Sequence, residues 1–583
     1  MVGLDLLAAS TVFRVEMPLL TTLRLEGCKP GSFPALRQFV PFLLLPCLII
    51  VVGCASSAPS EPPIAKSGLT KEMFETGFED IDTYYITKPN LENLAMAGLQ
   101  QLTSLDPDVA AVEIGSQINL DVHQQMINSF PVAPDLEAQQ WGKLVAKVTQ
   151  EAVNASDKLQ KTAPERIYEA VLTGVVSKLD PFSRYANARK ADDNRASRDG
   201  FGGLGITISV EDDVVRIVSV LHYTPAERMG LKRDDLILTI DGKSVSGLSQ
   251  NDVINVLRGP VDSKVVLGLS RAADVTSPIP TTPPASNDGK SAEPPRQNME
   301  VTLVRAHVVP ETVAYHREGD IAYIRIYSFN AETGKSFKHA IYDAQSEIGP
   351  HLVGYVLDLR DNLGGLVDQA VAVSNLLLSS GHIVSTRGRN PDSHQIYEAT
   401  GNDVTGGKPV VVMIDGNSAS AAEIVTAALQ DNDRAVVVGS NSYGKGTVQI
   451  IRPMPNHGEL TLTWARYHAP SGYTLHHLGV LPTICTVGKH DADSLIRDLA
   501  EGRLPAVPTE KRNAVNPDDT AALDALRATC PAETNDDPVN LELAKRLLAQ
   551  PTLFGEAVHL AQPPATADGD QSSSLDLLPA YLN

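Results

Sequence analysis

Two segments in the second half of the chain hold residues that could act on a substrate. The first is GSNSYGKGTVQ, residues 439–449, where Lys445 stands between two glycines, after the apolar run AVVVG and just before VQII. Three chemistries would suit it. As a phosphate loop, Gly439 and Gly444-Lys445 are correctly spaced, but Gly446 replaces the hydroxyl that should hold magnesium. The β-branched TVQIIRPM also follows where a helix N-terminus is needed. As an S-x-x-K pair, Ser442 and Lys445 would have to share a helix face. Gly444 and Gly446 oppose a helix there, and the companion S-D-N and K-T-G segments are absent. The third chemistry makes Lys445 the general base for a serine elsewhere.

That serine is expected in the second segment, DGNSASAAEIVTAALQD, residues 415–431. An apolar strand, KPVVVMI, ends at a turn and small residues lead into a helix. A nucleophile at such a turn exposes its hydroxyl near the positive end of the helix dipole. The amide of the next residue can then donate to an oxyanion. Lysine acts as a base only when burial lowers its pKa by penalising the ammonium form. A histidine route is poorer, because there is no G-x-S-x-G elbow and no histidine sits in a triad pattern.

Stepping along the chain, 69–198 reads as mostly helical, with apolar residues at three- and four-residue spacing. From Phe201 short strands and two short helices make a β-rich unit of about 70 residues. The Pro/Ser/Thr-rich TSPIPTTPPASNDGKSAEPPRQ is expected to be a disordered loop that interrupts a hairpin. From Ile321 to Val487 apolar strands alternate with helices, which predicts an α/β layer with a buried sheet. A polar, helix-rich tail follows, and its last twenty or so residues read as disordered.

The chain has 583 residues and a formal net charge of −21. That charge, without a dense basic cluster, excludes nucleic acid as the main partner. RQFVPFLLLPCLIIVVGC, residues 37–54, has the pattern of an export signal. Its end, VVGC, resembles a bacterial lipobox, which would lipidate Cys54 and tether the protein through ASSAPSEPPIAKS. Of five cysteines, Cys485 and Cys530 remain as an even pair in an exported protein, and a disulfide between them is expected.

NSASAAEIVTAALQDNDRAVVVGSNSYGKGTVQ resembles the active-site block of the C-terminal processing (tail-specific) proteases, PDZ-containing Ser/Lys peptidases. VLDLRDNLGGLVDQAV resembles that family's D-L-R-x-N-x-G-G stretch, and LDPFSRYA its L-D-P-H-S-x-Y. The resemblance implies a multidomain α+β and α/β chain. Its parts are a leader (1–53), a tether (54–68), a helical N-terminal region (69–198), a PDZ domain (199–271), the Pro-rich insertion (272–298), a ClpP/crotonase-like α/β protease core (299–487) and a helical C-terminal region with a flexible tail (488–583).

The same resemblance implies Ser420 as nucleophile, Lys445 as base and Gln449 as the residue that orients the lysine. Glu423 would orient the site. The amides of Ala421 and of Gly364 or Gly365 would bind the oxyanion. Ser418 is expected as a helix cap. Gly203, Leu204, Gly205 and Ile206 would bind a peptide carboxylate. No metal or cofactor is implied. Protein C-termini are the implied partners, with a helical-repeat adaptor lipoprotein, a lipid-anchored periplasmic location and a homo-oligomer left open. The outer membrane is favoured, because Ala55 and Ser56 lack the aspartate that often retains lipoproteins at the inner membrane. The competing readings are a non-catalytic PDZ scaffold and a latent protease awaiting an adaptor. Two positions depart from the family pattern, Phe182 in place of His and Leu363 in place of Pro, and neither is expected to touch the dyad.

Overall fold

In the computed structural model, the described residues are 67–272, 296–401, 403–489, 491–505, 509–534 and 537–560. The leader, Cys54, the tether up to residue 66, most of the Pro-rich insertion and the last part of the tail lie outside them, while residues 67 and 68, assigned to the tether, open the helix Ser67–Tyr84.

The α/β core is built on a six-stranded sheet. Its order is Val313–Glu318, Ile321–Ile326, Gly354–Asp358, Val410–Ile414, Ala435–Gly439, Ile484–Cys485. All neighbours are parallel except the first hairpin. Parallel strands need crossovers, and the helices Thr333–Ile348, Val367–Asn375 and Ala421–Asp431 supply three of them. The central strands VVVMI and AVVVG are buried at every position. Side chains alternate across a sheet, so two cores result. Val410, Val412 and Ile414 join the core beneath the crossover helices. Val411 and Met413 pack with Leu495, Leu543 and Leu547 of the C-terminal helices. The helix-rich end of the chain is thus the second cover of the sheet.

A second, antiparallel sheet runs Gln395–Glu398, His382–Arg387, Glu459–His468, Thr447–Pro453, with Arg184–Ala186 paired to Glu459–His468. It carries Gln449 and presents Leu460 and Leu462 to the N-terminal helices.

That N-terminal region differs from the expectation. Helices Ser67–Tyr84, Leu91–Gln100, Ala138–Ala155 and Pro164–Val176 are present. Between them lies a three-stranded meander, Val109–Ile114, Gln117–Val122, Gln125–Pro131. The alternation in QINLDV buries Ile118, Leu120 and Val122, a period-two signal inside a helical stretch.

The β-rich unit has the strand order Arg296–Val304, Lys264–Ala272, Leu236–Ile240, Val214–Val220, Ile206–Glu211. Strands Lys264–Ala272 and Arg296–Val304 pair in unbroken antiparallel register. The Pro-rich segment therefore leaves and re-enters one hairpin. The sheet consequently runs past residue 299, where the protease core was expected to start, and Ala272 and 296–298 are strand residues. Disorder of the insertion itself falls on 273–295, outside the described residues.

Candidate active site

Strand Val410–Ile414 delivers the chain into the turn DGNS. Asp415 organises that turn: its Oδ1 accepts the amides of Asn417 at 3.1 Å and Ser418 at 3.0 Å. Ser418 is fully buried and its Oγ donates to Leu359 O at 2.9 Å. It holds the turn from inside and is not the helix cap that was expected. The cap position of Ala421–Asp431 belongs to Ser420, whose backbone sits at φ 54°, ψ −112°. A non-glycine residue in this region stores strain and persists only where its surroundings enforce it.

Glu423 is the enforcing group. It has no exposed surface. Its Oε2 accepts the Ser420 amide at 2.7 Å and the Lys445 amide at 3.0 Å. Its Oε1 accepts the Gly444 amide at 2.7 Å and Ser442 Oγ at 2.5 Å. One carboxylate thus ties the serine's turn to the lysine's loop. Burial pushes its pKa up, opposed by these donors. Ser442, the alternative partner for Lys445 in the sequence, is spent in this network, since its Oγ also accepts the Val480 amide at 2.7 Å.

Ser420, Lys445, Gln449, Gly364 and Gly365 line one cavity of about 450 Å³. Burial, and then the charge of Arg184, hold the Lys445 amine below the ordinary lysine range, while Glu423 and Asp180 oppose them. The Lys445 Nζ lies 5.1 Å from the centroid of the Phe182 ring. Phe182, expected to stand clear of the dyad, therefore faces its lysine. Asp180 fixes that aromatic turn by accepting the Phe182 amide at 2.8 Å and Thr463 Oγ1 at 2.9 Å. Leu363 is 70% exposed.

Gln449 follows a register shift at Val448/Gln449 in the pairing with Glu459–His468. Its Nε2 donates to Thr447 Oγ1 at 3.0 Å and Thr463 Oγ1 at 3.2 Å. The carbonyl oxygen is then the atom available to an amine.

The amides expected to bind an oxyanion differ in what they already hold. Ala421 opens its helix, so its amide has no intrahelical acceptor. The Gly364 amide donates to Asn362 Oδ1 at 2.8 Å, so of the two glycines expected as oxyanion donors Gly364 has its amide already engaged. Asn362 also accepts the Ala419 amide on its main-chain oxygen at 2.9 Å. A Cβ on Gly364 would stand 2.8 Å from Ser420 Cβ, at φ 97°. Glycine is needed to bring this loop against Ser420.

In the β-rich unit, strand Ile206–Glu211 ends the sheet and lies beside helix Gln250–Leu257. A cavity of about 450 Å³ between them is lined by Gly203, Leu204, Gly205, Ile206, Ile254 and Leu257. Gly205 sits at φ 80°, where a Cβ would be 2.3 Å from Thr224. Cys485 and Cys530 are joined by a disulfide.

Nothing in the sequence pointed Phe182 at the lysine or placed Tyr467 in the cavity wall. Alternating burial of WARYH marks Tyr467 only as an inward residue.

The Peptidase family S41 model matches residues 320–486, and the PDZ domain model matches residues 195–270. The chain is 37% identical over 404 residues to the carboxy-terminal-processing protease of Bartonella bacilliformis, covering 69% of this chain and 86% of that one. It is 31% identical over 333 residues to the carboxy-terminal processing protease CtpA of Bacillus subtilis, covering 56% of this chain and 66% of that one. Among solved structures it is similar to the photosystem II D1 C-terminal processing protease, at 23% identity and a TM-score of 0.35, covering 71% of this chain and 92% of that one. The chain belongs to peptidase family S41, as a PDZ-containing peptidase of the carboxy-terminal processing type. It is a serine-type peptidase on a multidomain α/β fold.

Proposed function

We propose that this peptidase cleaves polypeptides near free C-termini with Ser420 as nucleophile and Lys445 as base. The observation that carries the reading is the shared cavity of Ser420, Lys445, Gln449, Gly364 and Gly365. Neutral Lys445 takes the Ser420 proton as Oγ attacks the scissile carbonyl. The amides of Ala421 and Gly365 receive the negative charge on oxygen. The Lys445 ammonium returns the proton to the leaving amine, and water, deprotonated by Lys445, releases the acyl group.

Substrate tails enter by adding a strand to Ile206–Glu211, with the carboxylate on the amides of the Gly203–Ile206 loop. This reading is supported by the open sheet edge, the glycine geometry and the general mode of PDZ recognition. The 37–54 pattern supports export, with lipid on Cys54 and a periplasmic, membrane-tethered enzyme.

The test compares an unfolded reporter polypeptide carrying an apolar, free C-terminus with the same polypeptide amidated. The free form is cleaved with the lower KM. Equal KM for both would contradict capture through the carboxylate.

A further inference from the structure

Ser420 has a polar neighbour that neither the lysine nor the oxyanion amides account for. Tyr467, in strand Glu459–His468, is 1% exposed and packs in the core beneath the crossover helices. It lines the same cavity as Ser420, Lys445 and Gln449. A buried tyrosine hydroxyl seeks a hydrogen-bond partner, and the Ser420 side chain on the same cavity wall is the hydroxyl neighbour that acts on the phenol, opposing the effect of burial. The backbone of Tyr467 is fastened to the other half of the site. Its amide donates to Gly446 O at 2.8 Å, one residue beyond Lys445. The strand pairs Tyr467 with Thr386 on one side, and its neighbour Arg466 with Thr447 on the other. The ring is therefore carried by the middle of a sheet, with little freedom to leave the nucleophile.

We propose that Tyr467 is a third catalytic residue, a neutral phenol that donates a hydrogen bond to Ser420 Oγ and directs the serine's own proton to Lys445. This rests on the Ser420/Lys445 reading above. With one Oγ lone pair held by the phenol, the serine O–H turns toward the amine. Lys445 takes that proton as the Oγ–carbon bond forms and the carbonyl π pair moves to oxygen. Collapse breaks the carbon–nitrogen bond, and the Lys445 ammonium protonates the departing amine. In deacylation, water gives its proton to Lys445 and attacks the acyl carbon. The Oγ–carbon bond then breaks, Lys445 returns the proton to Oγ, and the Tyr467 hydrogen bond stabilises Oγ as it leaves. Tyr467 keeps its proton throughout. Burial holds the phenol far above its ordinary pKa, which suits a group that donates without transferring.

Tyr467→Phe in the full chain removes one oxygen and keeps the ring. The expected result on the reporter polypeptide is a fall in kcat on the order of 100-fold with KM little changed. Labelling of Ser420 by a fluorophosphonate should slow in parallel. A folded Tyr467→Phe protein with parental kcat would overturn the proposal. A second form, with tetrafluorotyrosine incorporated at position 467, keeps the ring and hydroxyl but makes the phenol acidic enough to offset the effect of burial and bring its ionisation into the assayed range. Its kcat should lose an alkaline portion of the pH profile that the parent retains. A hydroxyl with only a packing role would leave that limb in place, and this result would overturn the proposal even if the phenylalanine variant failed to fold. Ser420→Ala, measured alongside, separates the two readings. Parental activity in that variant sinks the dyad itself, whereas an inactive Ser420→Ala beside an unaffected Tyr467→Phe sinks only the tyrosine.

Discussion

At the scale of single residues, the proposed chemistry depends on keeping one amine neutral. Lys445 serves as base only without its proton, so kcat/KM should rise with pH through its pKa. The ordinary lysine value is about 10.4. Burial and the neighbouring Arg184 place Lys445 below it. A positive neighbour disfavours the ammonium form, so removing it must raise the lysine pKa. Arg184→Met should therefore shift the acidic limb of the kcat/KM profile to higher pH. A limb that stays or moves to lower pH contradicts this account of the lysine. Ser420, Lys445, Glu423 and Gln449 could be singled out in the sequence because they fall in two short segments that resemble the family's active-site block, and the structure brings Ser420, Lys445 and Gln449 to one cavity. The placing of Phe182 and Tyr467 at the site was not legible. Phe182 comes from a segment far away in the chain and Tyr467 from the strand that follows Gln449, and the pairing of Arg184–Ala186 and Thr447–Pro453 with Glu459–His468 is what brings them to the site.

At the scale of elements, the site is a junction between a helix start and a glycine loop, and Glu423 is the fastener. Its two oxygens accept from Ser420, Ser442, Gly444 and Lys445. Glu423→Gln would replace one acceptor by an amide N–H₂ that faces donors. Leaving such donors unpaired costs about 1–3 kcal/mol each. The variant should lose about 2–4 kcal/mol in denaturant unfolding and most of its activity, because the strained Ser420 backbone loses its restraint. A change in stability below about 0.5 kcal/mol would show that the network is dispensable. The strands and helices of the core were legible from apolar runs and spacing. The meander at 109–131 was not, because its alternation is short and is flanked by strong helical periodicity. Ser418 was misread for a related reason. Sequence shows a small polar residue before a helix, but only the fold shows that the helix starts two residues later and that Ser418 is enclosed by the turn.

Over the whole molecule, the C-terminal segment closes the site from behind. Glu533 accepts the Gly416 amide at 2.8 Å on its main-chain oxygen. The same oxygen takes Ser440 Oγ at 2.9 Å. Arg527 reaches His477 O at 2.9 Å and Ser442 O at 3.3 Å. The disulfide closes a loop with a sequence separation of 45 residues, which on loop-closure grounds is worth about 3–4 kcal/mol. Cys530→Ser should lower unfolding stability by about that amount and reduce activity by loosening the lysine loop. Unchanged stability would mean that the segment is held by packing alone. The division into helical, β-rich and α/β parts was legible from the changes in hydrophobic rhythm. The hairpin that spans the Pro-rich segment was expected, but its returning strand shares the β-rich sheet, a fact that resides in pairing and not in composition. The most direct test of the central claim is cleavage of an unfolded reporter polypeptide by the full chain and by Ser420→Ala, Lys445→Ala and Ser442→Ala. Loss of cleavage is predicted with the first two, and cleavage should remain measurable with Ser442→Ala, whose hydroxyl supports Glu423 and the Val480 amide and takes no chemical step. Parental activity in Ser420→Ala or Lys445→Ala would contradict the Ser/Lys mechanism.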